Sequence, residues 1–240
     1  MTCTELRMAS RWRGPGLMAM ATCLALMTGA SLSATPVTGV ANIDGTVIVD
    51  TNGIHFFDNL NVPNQFNAAS STGSYSGLTG GTIADLTGPP VTGPVSIANF
   101  ATFNTTLGVI TFDLGYIFPG IGTLAQCGSD TVGNQCTPTG SPFALTQTNT
   151  GVTVTLALSG TAYLGTAVSG KSPTNGLFTA QVTTPGTITS VLADVASDRL
   201  PLQTFSATFA STAVPEPATF GLLGAALLGL GLMKNRRVRS

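Results

Sequence analysis

The sequence predicts an all-β, antiparallel fold, a jelly-roll-like β-sandwich with one apolar helix before it and one after it. Three observations predict it. Several segments alternate apolar and polar side chains with period two, the mark of a strand with one buried face. Gly (29) and Pro (14) punctuate those segments at short intervals. Thr and Val are abundant between them, and their stiff branched side chains suit a pleated surface. The chain then divides into an N-terminal apolar segment (1–34), a β-rich domain (35–213) and a C-terminal tail (214–240).

Residues 1–34 read as a secretory signal helix. A basic stretch with Arg7, Arg11 and Arg13 precedes the apolar run Leu17–Met27, and small residues follow from Thr28 to Ala34. Basic, apolar and small segments in that order are what the export machinery reads. Cleavage is expected after Ala34, with Ala30 and Ala41 as alternatives, and Met8 is an alternative start.

In the domain, Val152, Val154, Leu156 and Leu158 share one strand face, with Thr153 and Thr155 opposite. Phe205, Ala207 and Phe209 alternate with Thr204, Ser206 and Thr208, and Ile110, Phe112 and Leu114 with Thr111 and Asp113. Further strands are expected over Thr46–Val49, Val95–Phe100, Ala162–Ala167, Leu177–Val182 and Thr187–Leu192, although Ile188–Val195 also fits a helix. Turn chemistry marks Thr87–Pro94, Pro119–Thr123 and Ser172–Gly176, and the Ser/Gly/Thr-rich stretch Asn67–Thr82 reads as an exposed loop. Cys127 and Cys136 flank a polar turn and are expected to form a disulfide in an oxidising compartment.

Only 8% of residues are charged, against roughly 25% in ordinary soluble domains. Residues 35–213 hold two bases, Lys171 and Arg199, against eight aspartates, a net of −6. Phosphate binding needs several clustered cations, so nucleic acid is excluded as a partner. The basic residues gather instead at the two ends, where a membrane accounts for them.

The tail has three parts: Val214-Pro215-Glu216-Pro217, the uncharged run Ala218–Met233, and an end bearing Lys234, Arg236, Arg237 and Arg239. The 16-residue run would rise ~24 Å as a helix, a short transmembrane helix that thins the bilayer or lets Lys234 snorkel. The four cations are the membrane stop and keep that end cytoplasmic by the positive-inside bias. The two prolines prevent the helix from extending upstream.

Pro-Glu-Pro, a Gly/Leu/Ala-rich segment and an Arg-rich stop, in that order, resemble the PEP-CTERM sorting signal over Val214–Ser240. The resemblance implies an exported protein of a Gram-negative bacterium, sorted and cut by an exosortase-type enzyme that recognises Pro215, Glu216 and Pro217. It also implies an inner-membrane-anchored precursor, then residence in the cell envelope, at the cell surface or in an extracellular matrix associated with exopolysaccharide. The protein would be the substrate of that enzyme; the missing catalytic constellations add the expectation that it is itself non-enzymatic and without cofactor or metal.

Candidate chemistry elsewhere is thin. Gly165–Ser172 satisfies G-x-x-x-x-G-K-[ST], but Ser172 is followed by Pro-Thr-Asn-Gly and not by a helix that would hold phosphates. His55, the one histidine, would need Asp50 or Asp58 as orienter in a hydrolase, and no Gly-x-Ser-x-Gly elbow accompanies it. Asp50, Asn52, Asp58 and Asn59 offer oxygens to calcium without the spacing of a calcium loop. A carbohydrate face would rely on Tyr75, Tyr116 and Tyr163, because Trp12 lies in the signal segment. The expectation is a non-enzymatic envelope or matrix protein, with a carbohydrate- or calcium-binding module and a secreted hydrolase as alternatives.

Overall fold

The computed structural model describes residues 35–213, except 89–91, 166–169, 185 and 199, and also Gly224. The chain separates into Met1–Ser33 and Ala34–Ser240, and the described residues belong to the second unit. The signal segment, Pro215, Glu216, Pro217, the run Ala218–Met233 apart from Gly224, and Lys234, Arg236, Arg237 and Arg239 lie outside the described residues.

The chain lays down β1 (Gly39–Asp50), β2 (Gly53–Phe57), β3 (Gln65–Ser71), β4 (Gly80–Ile83), β5 (Leu86–Thr87), β6 (Gly93–Thr105) and β7 (Gly108–Ile117). It continues through β8 (Gln135–Cys136), β9 (Phe143–Thr148), β10 (Gly151–Leu164) and β11 (Ser172–Val182), then helix α1 (Ile188–Ala196) and β12 (Gln203–Ser211). The ladders are antiparallel and run β11-β12-β1-β3-β4-β6-β7-β10, and β10 pairs back onto β11. The all-β, antiparallel expectation holds, but the architecture is an eight-stranded barrel with extra strands in place of a two-sheet sandwich. Period-two alternation buries one face of a strand in either arrangement, so it does not separate them. Closure does: β10 bonds β11 from Val152↔Val182 to Ala162↔Ser172, which leaves the eight-stranded path without a free edge.

Closing a sheet this small needs local curvature, and the register shifts supply it. They fall at Ser159/Gly160 between β10 and β7, at Pro94/Ile97 and Ile97/Ala101 between β6 and β7, and at Ala41/Ile43 between β1 and β3. At Gly160 a Cβ would collide with the Asp113 carbonyl, so the close approach requires glycine. Asn99, at φ 53°, occupies the β6 irregularity in a left-handed conformation that Asn tolerates.

Inward-facing side chains fill the barrel with rings. Tyr75–Phe103 (5.2 Å between centroids), Phe103–Phe209 (5.1 Å), Phe209–Phe178 (5.5 Å) and Phe178–Phe56 (5.5 Å) form a continuous string. The rings meet edge-on or tilted, as the aromatic quadrupole prefers. One end of the barrel is closed by Tyr75, whose hydroxyl bonds Ser211 Oγ (2.7 Å), which in turn bonds Thr174 Oγ1 (2.6 Å).

Three local expectations differ from the structure. Asn67–Thr82 is not an exposed loop: it contributes the end of β3, a 3-10 turn with fully buried Tyr75, and the start of β4. Ser172–Gly176 is the start of β11 and not a turn, because cross-strand bonds to β10 and β12 override its turn chemistry. Ile188–Ala196 is helical, with Thr187 Oγ1 accepting from the Ser190 amide as N-cap.

Candidate functional site

β1 and β10 are longer than the closed part of the barrel. The far half of β1 exchanges β3 for β2 as partner, and the near half of β10 exchanges β7 for β9. The walls therefore part at this end, opposite the Tyr75 end. Helix α1 and the segment Pro138–Ser141 lie across the opening. Beneath them is a cavity of about 400 Å³ lined by inward side chains of β1, β9, β10, β11 and β12 and by Val191, Leu192 and Val195 of α1. A smaller void of about 40 Å³ adds Ile54, Phe56, Leu156 and Phe205, and shares Val47, Val49, Phe143, Val154 and Ala180 with the larger one. The space thus runs from the mouth toward the ring string.

α1 is clasped at both ends. At its start Asp130 Oδ1 accepts from the Thr189 amide (3.0 Å) and Oδ2 from the Thr189 hydroxyl (2.7 Å). Gln147 reaches the same turn, with Oε1 accepting from the Ile188 amide and Nε2 donating to the Gly186 carbonyl. Just beyond its end, Asp198 Oδ1 accepts from the amide and hydroxyl of Thr51 (3.0 and 2.9 Å) in the β1–β2 turn. The Thr189 amide, above all, holds the Asp130 carboxyl below its ordinary value, and the Thr51 amide does so for Asp198.

Of the residues singled out in the sequence, His55 places Nδ1 2.9 Å from Asp85 Oδ2, and Asp85 Oδ1 accepts from the Phe56 amide. Its orienting carboxylate is therefore Asp85, thirty residues on and unrecognisable from spacing, and not Asp58. Nε2, the nitrogen that would take a nucleophile's proton, faces Asp50 Oδ2 at 3.7 Å. Asp50 Oδ1 accepts from the amides of Asn52 and Gly53, and Asp58 Oδ1 from those of Leu60 and Val62. Asn59 donates to Asp44 and, through its amide, to Asn67 Oδ1. These oxygens perform turn chemistry, and among the described residues no group of three His, Cys, Asp or Glu side chains is placed to hold a metal ion.

Ser172 opens strand β11, so the Gly165–Ser172 segment lacks the helix a phosphate loop requires; residues 166–169 lie outside the described residues. Lys171 Nζ donates to Asp113 Oδ2 (2.9 Å) and sits 5.1 Å from the Tyr163 ring centre. Burial alone would raise the Asp113 carboxyl, but bonds from the Asn99 amide and Lys171 outweigh it and hold the group below its ordinary value. Tyr75 is fully buried, while Tyr116 lies tilted against exposed Phe118 with ring centres 5.0 Å apart. Cys127 and Cys136 stand with Cα atoms 4.9 Å apart, a separation a disulfide spans. Both pack into the cluster beneath α1 with Leu145, Val152, Val182 and Ile188. Among the described residues no helix is long and apolar enough to cross a membrane.

β12 ends at Ser211, so the sorting-signal resemblance starts three residues past the last barrel strand. The described barrel is thus followed directly by the segment that resembles a sorting signal. Residues 213–237 match the family model of the PEP-CTERM protein-sorting motif, and the chain carries that motif as an exported protein processed by an exosortase. No curated protein and no solved structure matches the chain.

Proposed function

We propose that the chain is a non-enzymatic protein of the cell envelope or extracellular matrix, delivered by its tail and left outside the inner membrane among exopolysaccharide. Residues 1–34 direct export. Ala218–Met233 then holds the precursor in the inner membrane, with Lys234, Arg236, Arg237 and Arg239 on the cytoplasmic side. The observation that carries this reading is the match at 213–237 directly after β12, which ends at Ser211. A cut near Pro215–Glu216–Pro217 leaves the ladders of the barrel whole. In that oxidising compartment Cys127 and Cys136 are joined.

Fractionation tests it. The wild-type chain should lose its tail and leave the inner membrane. A Pro215→Ala/Glu216→Ala/Pro217→Ala variant should accumulate there at full length. Intact protein found soluble in the cytoplasm overturns the reading. One observation favours a carbohydrate-binding role within the same setting: partly buried Tyr116 adjoins exposed Phe118, the two rings tilted 58° to one another, and sugars stack on such aromatic faces. Tyr116→Ala with Phe118→Ala should then release the protein from isolated exopolysaccharide, and unchanged retention would remove this role.

A further inference from the structure

The mouth of the barrel holds more unfilled space than a settled core keeps. Protein interiors pack as densely as organic crystals, and an empty apolar void strips its lining atoms of dispersion partners. A volume of about 400 Å³ lies instead in the range of small-ligand pockets, ~300–1,000 Å³, which favour the mouths of β-barrels. If a methylene takes about the space of one water in the liquid, ~30 Å³, the cavity accommodates on the order of a dozen such groups.

The lining selects the chemistry. Val47, Val49, Val154, Val182, Leu192 and Val195 present branched aliphatic surface on opposing walls. This is a poor partner for a sugar, whose hydroxyls would be left unpaired. The smaller void lies toward Phe56 and Phe205 and shares Val47, Val49, Phe143, Val154 and Ala180 with the larger one, which leaves room for an inward-pointing chain. Polar lining is confined to a few groups, among them Thr51, Ser141 and Gln203, and Asp50 is the one charged side chain among the described lining residues. A carboxylate or phosphate head group would meet Asp50 as a like charge, whereas hydroxyls and amides suit Ser141, Thr51 and Gln203. The tail run Ala218–Met233 does not fit, since a helix is about 10 Å across and would rise ~24 Å.

We propose that the cavity under α1 binds an uncharged, single-chain aliphatic amphiphile of roughly a dozen carbons, chain inward and hydroxyl-type head at the Ser141–Gln203 rim. The lid over it is α1, clasped by Asp130 and Asp198.

The test uses the full-length Pro215→Ala/Glu216→Ala/Pro217→Ala chain, which keeps its tail, in isolated inner-membrane vesicles and a diazirine-bearing analogue of 1-dodecanol, with labelled peptides mapped by mass spectrometry. Labelling is expected on β1, β10, β11 and α1, with excess 1-dodecanol reducing it at least tenfold more effectively than dodecanoate at pH 8. Ala180→Trp, which fills the cavity, should cut that labelling at least tenfold. Leu177→Trp, on the exposed outer face of the same strand, should leave it intact. Thermal melting reports whether Ala180→Trp folds, and Val154→Phe replaces it if it does not. Labelling confined to residues 214–240, labelling that 1-dodecanol does not reduce, or a folded filled variant that labels like the unfilled chain overturns the proposal. Equal competition by dodecanoate overturns the uncharged head group.

Discussion

Asp130 and Asp198 are solvent-facing carboxylates that tie down the two ends of α1: Asp130 accepts from the Thr189 amide in its first turn, and Asp198, just past its end, accepts from the Thr51 amide of the β1–β2 turn. Their folded-state values lie below the ordinary 3.8. The stability they contribute is therefore present above 3.8 and is lost as pH falls through the lower folded values. Acidification below that point should reduce amide protection in α1 before it reduces protection in β6 and β7. An Asp130→Asn/Asp198→Asn variant should lack this step, and the same acid transition in that variant would refute the clasp. Tyr75 shows the opposite sign. Burial raises it above 10.0, against the smaller lowering effect of its bonds to Ser211 and Thr174. Its contribution is complete below 10.0 and declines as pH rises toward the folded value. Tyr75→Phe should lower stability at pH 7 by about 0.5–1.5 kcal/mol, the net worth of one buried hydrogen bond, and abolish the alkaline decline; urea midpoints across pH measure both. At Gly160 the obstacle is steric. Gly160→Ala should cost ~1–3 kcal/mol, because the new methyl meets the Asp113 carbonyl at the bulge.

At the scale of elements, β8, the 3-10 turn Leu124–Gly128 and α1 are local structures drawn together by one cluster under the helix. Joining Cys127 to Cys136 closes a short loop, with the cysteines nine positions apart. In the chain-entropy account such closure stabilises by roughly 2–3 kcal/mol. Cys127→Ser with Cys136→Ser should therefore lower the denaturation free energy by about that amount. Because the pair packs against Ile188 and Val191, protection in α1 should fall more than in β6. A uniform loss across both elements would show that the clasp and the cysteines act separately. β10 illustrates the same dependence on context. It is a single strand by pattern, yet its two halves serve a flared wall and a closed barrel, and its partner changes from β9 to β7 between Leu156 and Leu158, just before the bulge at Ser159/Gly160.

For the whole molecule, closure of β10 on β11 completes the strand ladders by Ser211, and Thr212 adds one bond to the Pro173 carbonyl. A chain ending at Ala213 should melt within a few degrees of the full-length protein, read by circular dichroism. A large drop would mean that the tail contributes to the barrel. Strand existence was legible in Val152–Leu158, Ile110–Leu114 and Phe205–Phe209, because burial of one face writes itself into alternation. Asn67–Thr82 was not legible, since a stave made of Asn, Ala, Ser and Gly carries little hydrophobic contrast and is held by ladder bonds to its neighbours. Asp85 was hidden as the partner of His55 because a thirty-residue separation leaves no local pattern.

The β class, six of the eight barrel strands and the sorting address are legible along the chain, because side-chain alternation and the Pro-Glu-Pro tail are local patterns. Barrel over sandwich, the Asp85–His55 pairing and the cavity beneath α1 emerge from the folded chain alone. Each of these depends on which distant strands bond to one another, and a period of two is the same whichever partner a strand finds.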